Sequence, residues 1–479
     1  MLTKLTGRLS PATLPALALV LMMLATGPWF VDDAGIVFAY SRSIATGLGP
    51  TTGASPDFVE GFSDPAWVLI LATLRSVGLP IEWCAKAIGG FGMWMACWTV
   101  LNTARQEGLP QQERWALGVS LALIGPMWLW ALSGLENGLW AWMLVASVCV
   151  KHRLWASVAV VVLMWVRPEA PLVMVGVLAS RAVLGHSWTL MAGVAIASTV
   201  ALFGIRLLVF DAWWPNTAEA KLDRGLLSRV IAGIRYSTAS AAWLGWVPLA
   251  LGAYTADRSA PHRRLPLYAA GPFAASLLAM LYMGGDWMRY GRFLVGLSPL
   301  IALACAPALL ANKRTRWVLG TSWVVCGLVW ADVVRRPPLP MSLVQEVGDV
   351  VAAITQDACR DDGLDVAVPD VGGILWGAPE LTVNDLAQLT TVASSTPWSS
   401  RLEDSQTHIV ITHGPWVQRT GLTPTTMEGL RYAPLCVRPA ASGVAEQAHP
   451  TTLFLHSSCD QPMTRQTDEL VRAWCSRPR

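Results

Sequence analysis

Between residues 11 and 333 the chain is a succession of apolar runs cut by short clusters of Lys and Arg. A helix rises ~1.5 Å per residue and the hydrocarbon core of a bilayer is ~30 Å thick, so such runs read as membrane spans. They cover residues 11–30, 81–104, 115–133, 139–150, 155–166, 170–184, 188–210, 239–254, 266–283, 293–311 and 317–333. That makes about eleven spans, the shorter ones tilted or shielded by their neighbours. Merging the two segments on either side of Arg167 would change the count. The chain is 53% hydrophobic and 14% charged, more apolar surface than one soluble core could bury. A net charge of +3, with its 35 basic residues scattered, argues against nucleic acid as a partner.

The basic residues set the topology. Lys4 and Arg8 precede the first run as in a signal peptide, but no small-residue cleavage site precedes Trp29 and Phe30, so the segment reads as a retained signal anchor. With the amino terminus inside, Arg105, Arg114, Lys151, Arg153, Arg181, Arg258, Arg263, Arg264, Lys313, Arg314 and Arg316 all fall on the cytoplasmic side. The odd count leaves everything after Val333 outside, so the chain divides into a membrane module, 1–333, and an exterior, periplasmic domain, 334–479. In that tail Val344, Val347, Val351 and Ile354 recur at helical spacing, while 366–368, 408–412 and 453–455 read as strands, giving a soluble α/β domain. Five cysteines (Cys84, Cys97, Cys149, Cys305, Cys326) lie in apolar runs, and four (Cys359, Cys436, Cys459, Cys475) in the tail. An even set in an exterior domain suits disulfides, with three complete pairings open.

The first exterior loop, 31–80, carries the densest chemistry. Asp32 and Asp33 follow directly on the first span, and carboxylates at a membrane boundary are costly to dehydrate. Residues 36–45 form a short amphipathic stretch lying along the interface with Arg42 on its polar side, ended by Gly47, Gly49 and Pro50. Ser63 or Asp64 as N-cap and Pro65 at the first helical position start a second interfacial helix running to Gly78.

These residues, Asp32-Asp33-Ala34, AYSRSIATGLG at 39–49 and VEGFSDPAW at 59–67, resemble the first exterior loop of bacterial membrane glycosyltransferases of the GT-C superfamily. Further similarities follow in order: SGLE at 133–136, RPE at 167–169, PNTAEAK at 215–221, GGDWMRYGRF at 284–293, then PDVG at 369–372 and VNDLAQL at 383–389 in the tail. The chain is most similar to cell-wall terminal arabinofuranosyltransferases, which use a polyprenyl-phosphate sugar donor. The resemblance implies a mainly α polytopic membrane protein with a GT-C-like bundle of about eleven transmembrane helices, interfacial helices in the first exterior loop and a C-terminal soluble α/β domain. It also implies transfer of a sugar, arabinofuranose or another pentose or hexose, to a hydroxyl of a glycan or glycolipid acceptor on the outer face of the plasma membrane. Two departures stand out: Gly35 replaces the larger residue common after Asp-Asp-Ala, and no Asp follows the Asn-Asp-Leu run.

Chemistry at such a site needs a base for the acceptor hydroxyl and cations for the donor phosphate. Asp32 is the expected base, as the first acidic residue in GT-C enzymes, with Asp33 supporting it; two like charges raise one pKa. The alternative is that the pair merely caps the following helix. Arg42, Lys221, Arg289 and Arg292 break the positive-inside pattern and are the phosphate candidates. Asp286 would pair with Arg289 or Arg292. Glu60, Asp64, Glu136 and Glu169, near exterior span ends, would hold sugar hydroxyls or tie loops together, and Trp287 would stack on a sugar or anchor at the interface.

No Gly-rich phosphate loop, Asp-x-Asp or His-Glu-x-x-His motif is present, and the seven His are dispersed. The resemblance leaves room for a divalent cation, Mg or Mn, at the Asp pair. The competing class is a transporter or flippase of lipid-linked saccharide, but this needs polar midplane helices in two related halves. Within the enzyme class, protein O-glycosylation and lipid A modification stay open.

Overall fold

The computed structural model describes residues 10–54, 58–222, 225–247, 250, 264–310, 312–359, 365–392, 394–405, 407–439 and 450–476. Lys4, Arg8, Arg258, Arg263 and the ends of two expected spans at 251–254 and 311 lie outside the described residues. Helices fall on the apolar runs. Four are long and apolar enough to cross a membrane: Ile81–Gln106, Thr189–Phe210, Leu265–Met283 and Lys313–Arg335. Shorter apolar helices include Thr13–Thr26, Asn137–Cys149, Arg153–Val166, Ala170–Leu184 and the segment Val295–Ala308. Such helices complete a multi-pass bundle by packing side by side. Gly176 and Gly271 let Ala170–Leu184 and Leu265–Met283 approach until a Cβ on Gly271 would meet Ser180 Oγ at 2.8 Å, the close backbone packing typical of small residues in membranes.

Two expected spans differ. The run 115–133 is two helices, Gln111–Leu123 and Gly125–Ala131. Pro126 has no N–H to continue the ladder and sits in the first turn of the second helix, and the break falls at Ile124 (φ −76°, ψ 79°). The run 239–254 belongs to a helix that begins much earlier, Leu226–Trp243, closing at Gly245, whose φ of +66° suits glycine.

The first loop forms both expected helices, Asp32–Ala45 and Pro65–Ser76. The first starts earlier than its amphipathic pattern suggests, with extended Val31 as N-cap and both aspartates in its opening turn. It is not an interfacial helix with one wet face. Ten of its residues are buried, because the tail domain covers it.

The tail carries the helix Met341–Ala358 and a five-stranded sheet of order β2-β1-β3-β5-β4. Strands β1 (Asp365–Val368), β2 (Thr382–Asp385) and β3 (Ile409–His413) are parallel, while β5 (Thr451–His456) runs antiparallel to β3 and to β4 (Tyr432–Arg438). β1 and β3, central and almost wholly buried, are the apolar runs visible in the sequence; β2 and β4 are edge strands with polar residues and were not expected. The carboxyl ends of β1 and β2 lead into segments that touch the membrane module, at Asp32 and Asn216 respectively.

The tail cysteines pair as Cys359–Cys459 and Cys436–Cys475, and the five cysteines of the apolar runs are free. Alkylation of denatured, unreduced protein should therefore label five of the nine cysteines, and prior reduction all nine. Labelling of Cys359 without reduction would remove the bridge that ties Met341–Ala358 to the β5 segment.

Candidate functional site

The two aspartates diverge within one turn. Asp32 is 5% exposed, and its carboxylate accepts the backbone N–H groups of Gly373 at 2.7 Å and Gly372 at 3.3 Å. These glycines open the tail's short helix Gly372–Gly377. Three turns further along, Arg42 donates to the carbonyls of Leu375 (2.7 Å) and Trp376 (2.8 Å) at the other end of that helix and stacks over the Trp376 ring. The helix Asp32–Ala45 thus places carboxyl oxygens at the N–H end of the tail helix and a guanidinium at its carbonyl end. Burial, with Asp370 and Asp33 nearby, pushes the Asp32 carboxyl well above its ordinary range despite the two N–H donors.

Gly35 makes this approach feasible. A Cβ there would lie 2.2 Å from the carbonyl oxygen of Gly372, so the two backbones touch. The departure from a larger residue after Asp-Asp-Ala is a docking surface for the tail.

Other sequence motifs meet at the same seam. Asn216, in the PNTAEAK run, donates to the carbonyls of Thr391 and Gln388. Asp385, in the Asn-Asp-Leu run, holds that loop by accepting N–H groups from Ala387 (2.7 Å), Leu389 (2.9 Å) and Thr390 (3.0 Å). Burial still raises its carboxyl to about 6. His413, at the end of β3, lies 2.9 Å from Asp370.

Asp33 points away from the tail helix and keeps 28% of its side-chain exposure. Its carboxylate meets Arg292 Nη1 at 2.5 Å, and Asp286 approaches Arg292 Nε at 2.8 Å. Burial acts against the Arg292 guanidinium, but Asp286 and Asp33 together outweigh it and hold its pKa above the ordinary arginine value. Beside it, Arg167 pairs with Glu136 (2.7 Å) and Glu169 (3.3 Å) and donates to Asn137 Oδ1 at 2.5 Å.

Lys221 completes the group. It makes no ion pair among the described residues, and burial draws its pKa below the ordinary lysine value against the pull of Asp286. Three cations surround one ring: Lys221 Nζ is 4.1 Å, Arg292 4.9 Å and Arg167 5.0 Å from the centre of Phe293.

Asp64 sits at the N-cap position of Pro65–Ser76 but makes no capping bond. Instead it hydrogen-bonds Glu136, and burial together with that neighbouring carboxylate raises the Asp64 pKa well above the ordinary value.

Three buried N–H groups in this cluster have no acceptor, Trp130 Nε1, Asn137 Nδ2 and Arg167 Nε, while Arg292 Nε and Asp286 Oδ2 face each other as an ion pair at 2.8 Å. Buried polar atoms are almost always satisfied, so a concentration of spare donors marks a place that lacks an oxygen-rich partner.

The structure therefore brings together Asp33, Asp64, Glu136, Glu169, Lys221, Asp286 and Arg292. It places the others elsewhere. Glu60 pairs with Arg206 at 2.8 Å inside the bundle, Arg289 with Asp332 at 3.6 Å, and Trp287 is 58% exposed. Arg167, Asn137, Trp130 and Phe293 were not among the expected site residues. Arg167 had a readable signal, because in the topology expected from the sequence it too lies on the exterior side and breaks the positive-inside pattern. Among the described residues no group of three or more His, Cys, Asp or Glu is placed to hold a metal ion, and no step below is routed through one.

No family model and no curated protein matches the chain. Its fold is similar to that of ArnT from Cupriavidus metallidurans, solved bound to undecaprenyl phosphate, with a TM-score of 0.52 at 13% identity. The match covers 94% of this chain and 98% of that one, so the likeness takes in both the membrane module and the tail.

The seam is testable through Gly35. In Gly35→Ala the added methyl must displace one backbone from the other, an overpacking cost of about 1–3 kcal/mol. Trypsin cleavage after Arg335 should then release the tail roughly tenfold faster while helical circular dichroism is retained, since 1.4 kcal/mol is tenfold in an opening equilibrium. An unchanged cleavage rate would show that the tail is held elsewhere.

Proposed function

We propose that the protein is a membrane glycosyltransferase of the GT-C type that takes a sugar from a polyprenyl-phosphate donor and transfers it to a hydroxyl of a cell-envelope glycan or glycolipid on the periplasmic face. The observation that carries this reading is the cluster of Lys221, Arg167 and Arg292 around Phe293, with unfilled N–H donors and Asp33 at its edge. The ArnT-like fold supports it in general terms. The order of motifs favours the arabinofuranosyltransferase group within that class, and hence a pentose donor.

In this reading the phosphate of the donor lies against Lys221 and Arg292, where buried donors gain most from an anionic oxygen. Arg167 is held by two carboxylates and positions the cluster. The acceptor hydroxyl loses its proton to Asp33 and attacks the anomeric carbon; the bond from that carbon to the phosphate oxygen breaks, and polyprenyl phosphate leaves with both electrons. The cations stabilise the charge that grows on the leaving phosphate.

The roles of the two aspartates differ from the expectation that Asp32 is the base. Both Asp32 oxygens are occupied by backbone N–H groups in a buried seam, whereas Asp33 is the one of the pair that reaches open space beside the cations.

Asp33→Asn should therefore lower turnover ~100-fold or more, the scale of general-base loss, with donor binding kept. Asp32→Asn should weaken tail attachment more than turnover per attached enzyme. Lys221→Gln and Arg292→Gln should each weaken donor binding by ~1.5–3 kcal/mol, the worth of a charged hydrogen bond. Purified variants assayed with a defined polyprenyl-phosphate sugar decide this. Wild-type turnover in Asp33→Asn, with loss in Asp32→Asn and the tail attached, would return the base to Asp32.

A further inference from the structure

At the end of the bundle opposite the charged cluster, a groove of about 620 Å³ opens between Ile81–Gln106, Asn137–Cys149 and Arg153–Val166. Its walls are chemically graded. Along the helices that line it, Gln106 and Lys151 stand at one end, Asn102 and Thr103 come next, and Trp98, Trp142, Met143 and Met95 lie further along. Met95 is set roughly 16 Å along the helix from Gln106, at ~1.5 Å per helical residue. The groove faces outward at bilayer depth, since Trp98 and Trp155 on its rims are 44% and 68% exposed.

The charges all sit at one end. Lys151 is 55% exposed and lies 3.6 Å from Glu107, a distance that leaves its ammonium donors turned to solvent. Arg105 and Arg153 are exposed on the two helices beside it. The hydroxyls of Thr99 and Thr103 donate to the carbonyls of Met95 and Thr99 and are spent within their own helix. The amides of Asn102 and Gln106 are left as the groove's polar contribution below the cations.

We infer that this groove binds an anionic phospholipid, its headgroup phosphate at Lys151, Arg105 and Arg153, its ester region at the Gln106 and Asn102 amides and one acyl chain on the Trp98, Trp142 and Met95 surface. The sequence of cation, amide and apolar surface matches such a lipid from head to tail. A partner helix would meet an amide pair and three cations at one end with no complementary pattern below. The site is separate from the proposed donor site and needs no catalytic activity to be observed.

The experiment uses the full chain in nanodiscs of phosphatidylglycerol or phosphatidylcholine, with lipid retained after mild detergent extraction counted by native mass spectrometry. Wild-type protein should retain phosphatidylglycerol at least tenfold over phosphatidylcholine. Lys151→Gln with Arg153→Gln should abolish that preference, and Ala146→Phe, which fills the groove without touching charge, should lower retention of both lipids. Equal retention of the two lipids by the wild type would overturn the inference with no variant required. So would an unaltered preference in Lys151→Gln with Arg153→Gln, unaltered retention of both lipids in Ala146→Phe, or free glycerol phosphate competing as well as the intact lipid, which would reduce the site to a surface cation cluster.

Discussion

The arrangement depends on a contact between two short helices, Asp32–Ala45 of the first loop and Gly372–Gly377 of the tail. Asp32 takes the N–H groups at one end and Arg42 the carbonyls at the other, while Gly35 and Gly372 let the backbones touch. Neither helix is stable alone, since helices this short are marginal in water. Packed together they fix the direction of the opening turn, and that direction decides where Asp33 points. One residue seals the domain seam so that its neighbour can face the cations.

The seam also explains why the motifs are spread over the whole chain. The Tyr40 hydroxyl donates a hydrogen bond to the Val59 carbonyl and accepts one from the Gly61 N–H, Asn216 reaches the loop that Asp385 folds, and Asp370 meets His413 close to Asp32. Parallel strands send their carboxyl ends to ligand sites in open α/β sheets. Here the segments after β1 and β2 reach the membrane module at Asp32 and Asn216, beside the residues that lead into the charged cluster.

Much of the fold was legible because its causes are local. Apolar runs gave the helices and, where short, β1, β3 and β5, and the partition of cysteines separated bridged from free. Local signals also explain one miss: Pro126 was visible within the run 115–133 and breaks it. The role of Asp32 was not legible, because its partners lie 340 and 341 residues away and a carboxylate at a helix start looks the same whether it caps, catalyses or docks. Arg42 was misplaced for the same reason. Its exterior position was read as phosphate binding, but its acceptors are carbonyls of a helix that the sequence pattern did not show. Lys221 and Arg292, in contrast, were chosen on the same topological argument and fall together, since no backbone group consumes them.

The balance of charge in the cluster imposes an order on the proposed reaction. Arg292 already holds Asp33 and Asp286, so a donor phosphate cannot use that guanidinium fully without loosening one of them. Asp286 is almost wholly buried and would be costly to strand, whereas Asp33 is the exposed partner and can turn to solvent. A phosphate on Arg292 and Lys221 therefore displaces Asp33, and the carboxylate freed in this way stands next to the anomeric carbon of the donor that freed it. In the proposed reaction the base would be engaged with a cation while the site is empty and released when a sugar is present, so that the acceptor hydroxyl would meet it only in the ternary complex.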